Sequence, residues 1–405
     1  MQRAAEPVDS TTARPRQDHL RALTGLRFVA ALGVFSSHFW SRTRLGAFAT
    51  DESVVGRLAL RGGVGVQLFF ILSGFVLAYA SRGAMPATAA ARKEFWSARF
   101  ARIYPAYLLA LAASVPELMM NIDRYTSKFG PRSGVVLVGI AAALVLTLLQ
   151  SWMPRAANFW NGPGWTLSVE AFFYAAFPIL ASRRVMRWLT RIRTVPAVLL
   201  WWGIALVPPV VLMGLRGGSL DESERLFLHY VPVLNLPLFI IGITMAARFL
   251  ETGGEREGTW RSADALVWIA IGSALVVLAV PADAFTDVIV HYAVVPPFAL
   301  LIYALAGSRG LVARALGSPV MVLLGDSSYA FYLLHLPVTY ACASAFGLKV
   351  TIYTSEQDFG LTVGQTAVAL VLTTLVSVVV HRYYERPLRD LIRASYSSAW
   401  QRRGL

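Results

Sequence analysis

The residues of this chain best suited to chemistry are a few ionisable groups set in apolar stretches. Arg27 and His38 lie in Gly25-Leu-Arg-Phe-Val-Ala-Ala-Leu-Gly-Val-Phe-Ser-Ser-His38. On a helix their spacing returns to within roughly 20° of one face and separates them by about 16 Å along the axis. Ser36 and Ser37 make the surroundings of the histidine more polar. Glu170, in Trp165-Thr-Leu-Ser-Val-Glu-Ala-Phe-Phe-Tyr174, opens an apolar helix and shares a face with Tyr174 one turn on. The helix dipole alone would also favour an acid there. In Asp326-Ser-Ser-Tyr-Ala-Phe-Tyr-Leu-Leu-His335-Leu-Pro337, Ser328, Tyr332 and His335 fall at i, i+4 and i+7, one polar stripe. Helix packing through polar contacts would use the same stripe. Arg99 and Arg102, at i and i+3, follow Arg92 and Lys93. They suit a bidentate phosphate clamp, and equally an anchor at the cytoplasmic face. Near the C-terminus, His381 and Glu385 stand one turn apart and read as a structural interfacial helix.

A buried histidine, a carboxylate and an arginine cluster fit base catalysis on a substrate fed from the cytoplasm. Imidazole titrates near neutrality, which suits activation of a hydroxyl. A phosphate-rich donor would suit the arginines. The sequence carries no nucleophile elbow, no phosphate-binding glycine loop and no His/Cys cluster with metal-ligand spacing. With Cys342 as the one cysteine, no internal disulfide is possible and a thiol-ligated metal is not expected. Proton-coupled export of a glycan or antibiotic would draw on the same residue types. A non-catalytic membrane scaffold is the third reading, and the cost of burying so many polar groups argues against it.

These residues sit in a chain built for a bilayer. Of 405 residues, 56% are hydrophobic and 15% charged, and a soluble chain carries about 25% charged residues. Apolar runs occur at 25–40, 62–80, 103–120, 134–153, 165–182, 196–214, 231–247, 263–281, 289–306, 326–346 and 362–380. A membrane-spanning helix needs roughly 20 such residues, and the runs lack the alternation of strands. The predicted class is an all-α polytopic transmembrane bundle. The net charge of +14 follows from arginines between the runs, where they orient the chain, so no nucleic-acid partner is expected. Only Lys93, Lys128 and Lys349 are lysines, an arginine bias that points to a GC-rich genome.

Basic loops at 183–193, 248–261, 309–314 and 382–403 alternate with acidic ones at 221–224, 283–287 and 356–358. This pattern puts both termini in the cytoplasm of a multi-pass cell-membrane protein. The count closes only if one run before Arg183 fails to cross. The expectation is therefore about ten spans plus one re-entrant or broken segment, with Pro116-Glu117 and Asn161-Gly-Pro-Gly-Trp165 as the two suspects. Irregular backbone at membrane depth needs protein or water around it, so a break would mark a cavity. Residues 1–20 read as a disordered basic cytoplasmic tail lacking a signal-peptide core, 21–392 as the transmembrane domain, and 393–405 as a basic tail.

Five segments occur in the order found in one family: the Arg27–His38 pair, Gly62-Gly-Val-Gly-Val-Gln-Leu-Phe-Phe-Ile-Leu-Ser-Gly-Phe75, Arg99-Phe-Ala-Arg-Ile-Tyr-Pro105, Trp165-Thr-Leu-Ser-Val-Glu170 and Ser328-Tyr-Ala-Phe-Tyr-Leu-Leu-His335. Over residues 20–390 the chain resembles the acyltransferase-3 family of membrane-bound O-acyltransferases. The resemblance implies ten transmembrane helices, acyl-CoA as co-substrate with no bound cofactor, and a hydroxyl acceptor on a sugar, glycan or antibiotic. It implies that Arg27 and His38 are catalytic with Glu170, and that Arg99 and Arg102 bind the donor. Ser37, Trp165, Ser168, Tyr174, Tyr329, Tyr332 and His335 are then expected to line the substrate pocket. Ala98 replaces an arginine often found before Arg99, and Ala171 the second of two glutamates. The opening Leu23-Thr-Gly-Leu-Arg-Phe-Val-Ala-Ala31 resembles members that acylate macrolides in actinomycetes.

Overall fold

The computed structural model describes residues 20–40, 53–81, 88–189, 191–253, 260–281, 284–348 and 361–401. The basic segment 1–19 lies outside the described residues. Apolar runs without polar alternation form helices, since a helix satisfies its own backbone in lipid. In the first half these are α1 (Arg21–Phe39), α2 (Val54–Leu60), α3 (Gly65–Ala80), α4 (Ala89–Ala113), α5 (Val115–Phe129), α6 (Pro131–Leu146), α7 (Trp165–Leu180), α8 (Arg183–Leu189) and α9 (Thr194–Leu215). The second half contains α10 (Glu222–Tyr230), α11 (Pro232–Glu251), α12 (Trp260–Ala279), α13 (Ala284–Ala293), α14 (Val295–Gly307), α15 (Leu311–Leu316), α16 (Pro319–Ala345), α17 (Val363–Val380) and α18 (Arg386–Gln401).

The architecture is the expected all-α polytopic bundle. Among the described residues, seven helices are long and apolar enough to cross a membrane, or up to nine if two bent pairs each count as one span. The count of ten is not reached by this measure. α6 is short, with 16 residues, and the 27-residue α16 carries the polar stripe. The bent pairs are α4 with α5, at 62°, and residues 162–180 with α8, at 93°. The first bend falls at Ser114, just before Pro116 and Glu117, and Pro116 occupies the first turn of α5, where its missing N–H leaves no intrahelical bond unmade. The stretch 149–164 is irregular, with 3-10 turns at Gln150–Trp152, Pro154–Ala156 and Gly162–Gly164. The side-chain amide nitrogens of Gln150 and Asn161 are satisfied inside the protein, whereas Gln150 Oε1, Asn161 Oδ1 and Trp160 Nε1 are buried with no hydrogen-bond partner among the described residues. Gln150 donates to the Gly164 carbonyl at 2.9 Å, and Asn161 donates to Ser114 Oγ at 2.9 Å and to the Leu333 carbonyl at 3.0 Å. Both suspected breaks are thus irregular, and the second packs against α16. α18 runs on to Gln401.

Two close crossings position the site. At α3 against α11, a methyl group added at Gly74 would fall 2.0 Å from the Phe239 carbonyl oxygen, and one at Gly242 would fall 2.0 Å from that of Ile71. Small residues let membrane helices approach closely and gain packing where no hydrophobic drive exists between them. α1 and α16 run side by side in one direction. Arg21 Nε donates to the Gly317 carbonyl at 3.1 Å, Gly325 abuts the Thr24 carbonyl, and Phe28 meets Phe331 edge-on with centroids 5.5 Å apart. This register carries the polar residues of α16 past Arg27 and up to His38.

Candidate active site

α1, α3, α4, α7 and α16 enclose a narrow cavity with about 100 Å³ of free volume. Arg27, Arg99 and Arg102 line it together with Glu170, Tyr174, Ser73, Asp326, Ser328, Tyr329 and Tyr332. Three guanidinium groups therefore share one cleft with two carboxyl groups. Glu170 accepts hydrogen bonds from Ser73 Oγ at 3.3 Å and from the Tyr174 hydroxyl. Trp96 Nε1 donates to the Tyr174 carbonyl at 3.0 Å, tying α4 to α7. The Arg99 guanidinium lies 5.6 Å from the Phe95 ring centroid and 6.0 Å from that of Tyr174, a cation–π arrangement that holds its plane. Arg99 Nε is buried with no hydrogen-bond acceptor among the described residues. The ion pairs found among those residues lie elsewhere, at Arg216–Glu224, Arg248–Glu251, Arg389–Asp390 and His381–Glu385. A cleft with three arginines and few internal partners for them is suited to anions.

Phe69 and Tyr332 also line the cavity, with ring centroids 5.9 Å apart. Beyond Tyr332 stands His335, with 6.0 Å between ring centroids. The His335 ring lies 5.2 Å from that of His38, centroid to centroid. His335 is buried, with 1% of its surface exposed, among Phe35, Phe39 and Phe331. Its Nδ1 lies 2.6 Å from the Tyr332 carbonyl oxygen. A carbonyl only accepts, so Nδ1 carries the proton and neutral His335 presents Nε2 as an acceptor. His38 is half-buried.

The structure thus divides the expected residues into two groups. Arg27, Arg99, Arg102, Glu170, Tyr174, Tyr329 and Tyr332 meet in the cavity. His38 and His335 form a pair about three turns beyond Arg27 on α1 and under one turn beyond Tyr332 on α16. The hydrogen bonds of Glu170 go to Ser73 and Tyr174, while the His335 ring stands beside His38. Ser37 turns its hydroxyl back to the Val34 carbonyl at 2.8 Å. Ser168 is buried and accepts from the Ser151 amide at 3.3 Å, supporting the irregular stretch rather than lining the cavity. Trp165 is buried between Phe70, 6.1 Å away, and His229, 4.7 Å away. Sequence reasoning missed Ser73 and Asp326 as cavity residues. The available signal was a lone serine in an otherwise apolar run and an acid at the foot of the polar stripe.

A family profile described as an acyltransferase domain matches residues 20–382. The chain belongs to the acyltransferase-3 family. It is 34% identical to the acyltransferase MdmB of Streptomyces mycarofaciens over 349 residues, covering 80% of each chain. It is 29% identical over 336 residues to the exopolysaccharide production protein ExoZ of Rhizobium meliloti strain 1021, covering 81% of this chain and 89% of the relative. No solved structure matches the chain. Acyltransferase-3 membership and the apolar helices make it a multi-pass membrane protein.

Proposed function

We propose that this acyltransferase-3 protein moves an acyl group from acyl-CoA to a hydroxyl of a sugar, glycan or macrolide, with His38 as general base. The observation that carries the reading is the His38–His335 pair, ring centroids 5.2 Å apart, with His335 beside Tyr332 of the arginine-lined cleft. Arg99 and Arg102 hold the phosphates of the donor at the mouth. Arg27, between mouth and histidines, steadies the anionic head while the thioester arm runs inward past Phe69 and Tyr332. The narrowness of the cleft suits an extended chain.

His335 positions the base. With its own proton held by the Tyr332 carbonyl, His335 leaves Nε2 as an acceptor beside the His38 ring, and in the reacting complex it takes the N–H of His38, which leaves the other His38 nitrogen its lone pair for the acceptor. As the acceptor oxygen attacks the thioester carbonyl, its proton passes to His38. The C–O bond forms, the C–S bond breaks, and the leaving thiolate takes the proton from the imidazolium. The ester and the free thiol then account for every atom. General-base catalysis of this kind is worth about 10²–10⁴-fold.

The positive-inside pattern supports a donor site facing the cytoplasm, with both termini on that side of the cell membrane. The likeness of residues 23–31 to macrolide-acylating members and the likeness to an exopolysaccharide production protein both support a sugar-bearing acceptor. Incubating the purified protein with labelled acetyl-CoA and hydroxyl acceptors tests the reading. An enzyme forms a labelled ester, and a proton-coupled exporter forms none.

A further inference from the structure

A second cavity lies away from the arginine cleft, with about 550 Å³ of free volume. It is lined by His229, Tyr230, His291, Tyr292, Glu222 and Arg225. His229 ends the short α10, which is held rigid by a reciprocal cap. Glu224 N donates to Asp221 at 2.8 Å, Asp221 N donates to Glu224 at 3.0 Å, and Arg216 pairs with Glu224 at 2.7 Å. Asn235 Nδ2 donates to the His229 carbonyl at 3.2 Å, securing the last turn. His291 ends α13, which is tied to α9 by Trp202 Nε1 donating to the Tyr292 carbonyl at 2.9 Å. The two imidazoles, with centroids 5.1 Å apart, are thus brought together from separate rigid elements.

We infer that this cavity is a binding site for the sugar ring of the acceptor, an assignment of role that rests on the acyl-transfer reading above. The chemistry is that of a hydroxyl-rich ring. Both histidines are half-buried, and no side-chain hydrogen bond among the described residues engages either ring. Each imidazole therefore has one donor and one acceptor to offer. The phenols, Glu222 and Arg225 add more, while the aromatic faces suit the apolar side of a sugar. A purely aliphatic ligand would leave those buried polar groups unpaired, which costs binding free energy. Two imidazoles and one acid on the rim form no metal cluster among the described residues. The volume falls in the range of about 300–1,000 Å³ usual for small-molecule sites, whereas the cleft of about 100 Å³ takes only a chain.

The cavity also adjoins the arginine cleft. Trp165 packs on His229 and Tyr230, with centroids at 4.7 and 5.0 Å, and on Phe70 of the cleft at 6.1 Å. Phe70 shares the cleft lining with Tyr332, the neighbour of His335. One layer of aromatic side chains separates the two chambers.

The test is equilibrium binding to the full chain in lipid nanodiscs, by titration calorimetry, with a macrolide glycoside and a hexose oligosaccharide as probes. The His229→Ala/His291→Ala variant and the ring-preserving His229→Phe/His291→Phe variant are compared with wild type, and acetyl-CoA binding reports the integrity of the cleft. The expected result is that wild type binds one of the probes, which identifies the source of the sugar, and that both variants bind it at least tenfold more weakly with acetyl-CoA affinity within twofold. Wild-type sugar affinity in the Phe variant, or binding of neither probe by wild type, overturns the site. Binding is read without transfer, so a wild type that binds sugar but forms no ester defeats the acyl-transfer reading and leaves the sugar site standing.

Discussion

His38 on α1 and His335 on α16 face each other at 5.2 Å between ring centroids, and the second ring is fixed by the Tyr332 carbonyl 2.6 Å from its Nδ1. Two helices running in the same register bring together imidazoles almost 300 residues apart. If His335 orients the base, His335→Asn lowers kcat by less than the about 10²–10⁴-fold assigned to the base itself and leaves the donor KM unchanged. Steady-state kinetics with both substrates check this. An unaltered kcat would reduce His335 to a packing residue.

The arginine cleft makes a separate demand. Charge-assisted hydrogen bonds contribute about 1.5–3 kcal/mol, or roughly 10–100-fold in affinity. Arg99→Ala with Arg102→Ala is expected to raise the donor KM by that order while the acceptor KM stays put. A donor titration like that of wild type would return both residues to anchors at the membrane surface.

Glu170 is the shared acceptor of Ser73 and Tyr174, so substitutions at 170 and 174 act on one unit. A double-mutant cycle of Glu170→Ala and Tyr174→Phe on donor kcat/KM is expected to be non-additive by about 0.5–3 kcal/mol, the range for contacting residues. Additive losses would mean that the two side chains act apart.

The α3–α11 crossing gives a stability prediction independent of chemistry. The Cβ of Gly74→Ala would sit 2.0 Å from the Phe239 carbonyl oxygen, whereas at Gly139 there is nothing within 4 Å. Overpacking costs about 1–3 kcal/mol, so Gly74→Ala lowers the thermal midpoint in detergent while Gly139→Ala leaves it unchanged or raises it slightly. Equal midpoints would contradict the close approach.

The helical membrane architecture was legible because run length and the lack of alternation leave little choice in lipid. So were Arg27, Arg99, Arg102 and the stripe Ser328, Tyr332 and His335, whose types are costly in a bilayer and whose spacing is helical. The split between cleft and histidine pair was not legible. Arg27 and His38 share a helix face, and only the register of α16 against α1 shows that each has a different neighbour. The partners of Glu170 were half visible, since Tyr174 follows at i+4 but Ser73 comes from a distant helix. His229 and His291 lie at the ends of short helices outside any long polar stripe, so periodicity gave no reason to pair them.

The central claim is that His38 takes the proton from an acceptor hydroxyl. Transfer of labelled acetyl from acetyl-CoA by purified wild type and His38→Ala, at matched membrane incorporation and helicity, tests it most directly. The account predicts a labelled ester from wild type and a loss of about 10²–10⁴-fold in the variant with donor binding retained. Near-normal ester formation by His38→Ala would contradict it.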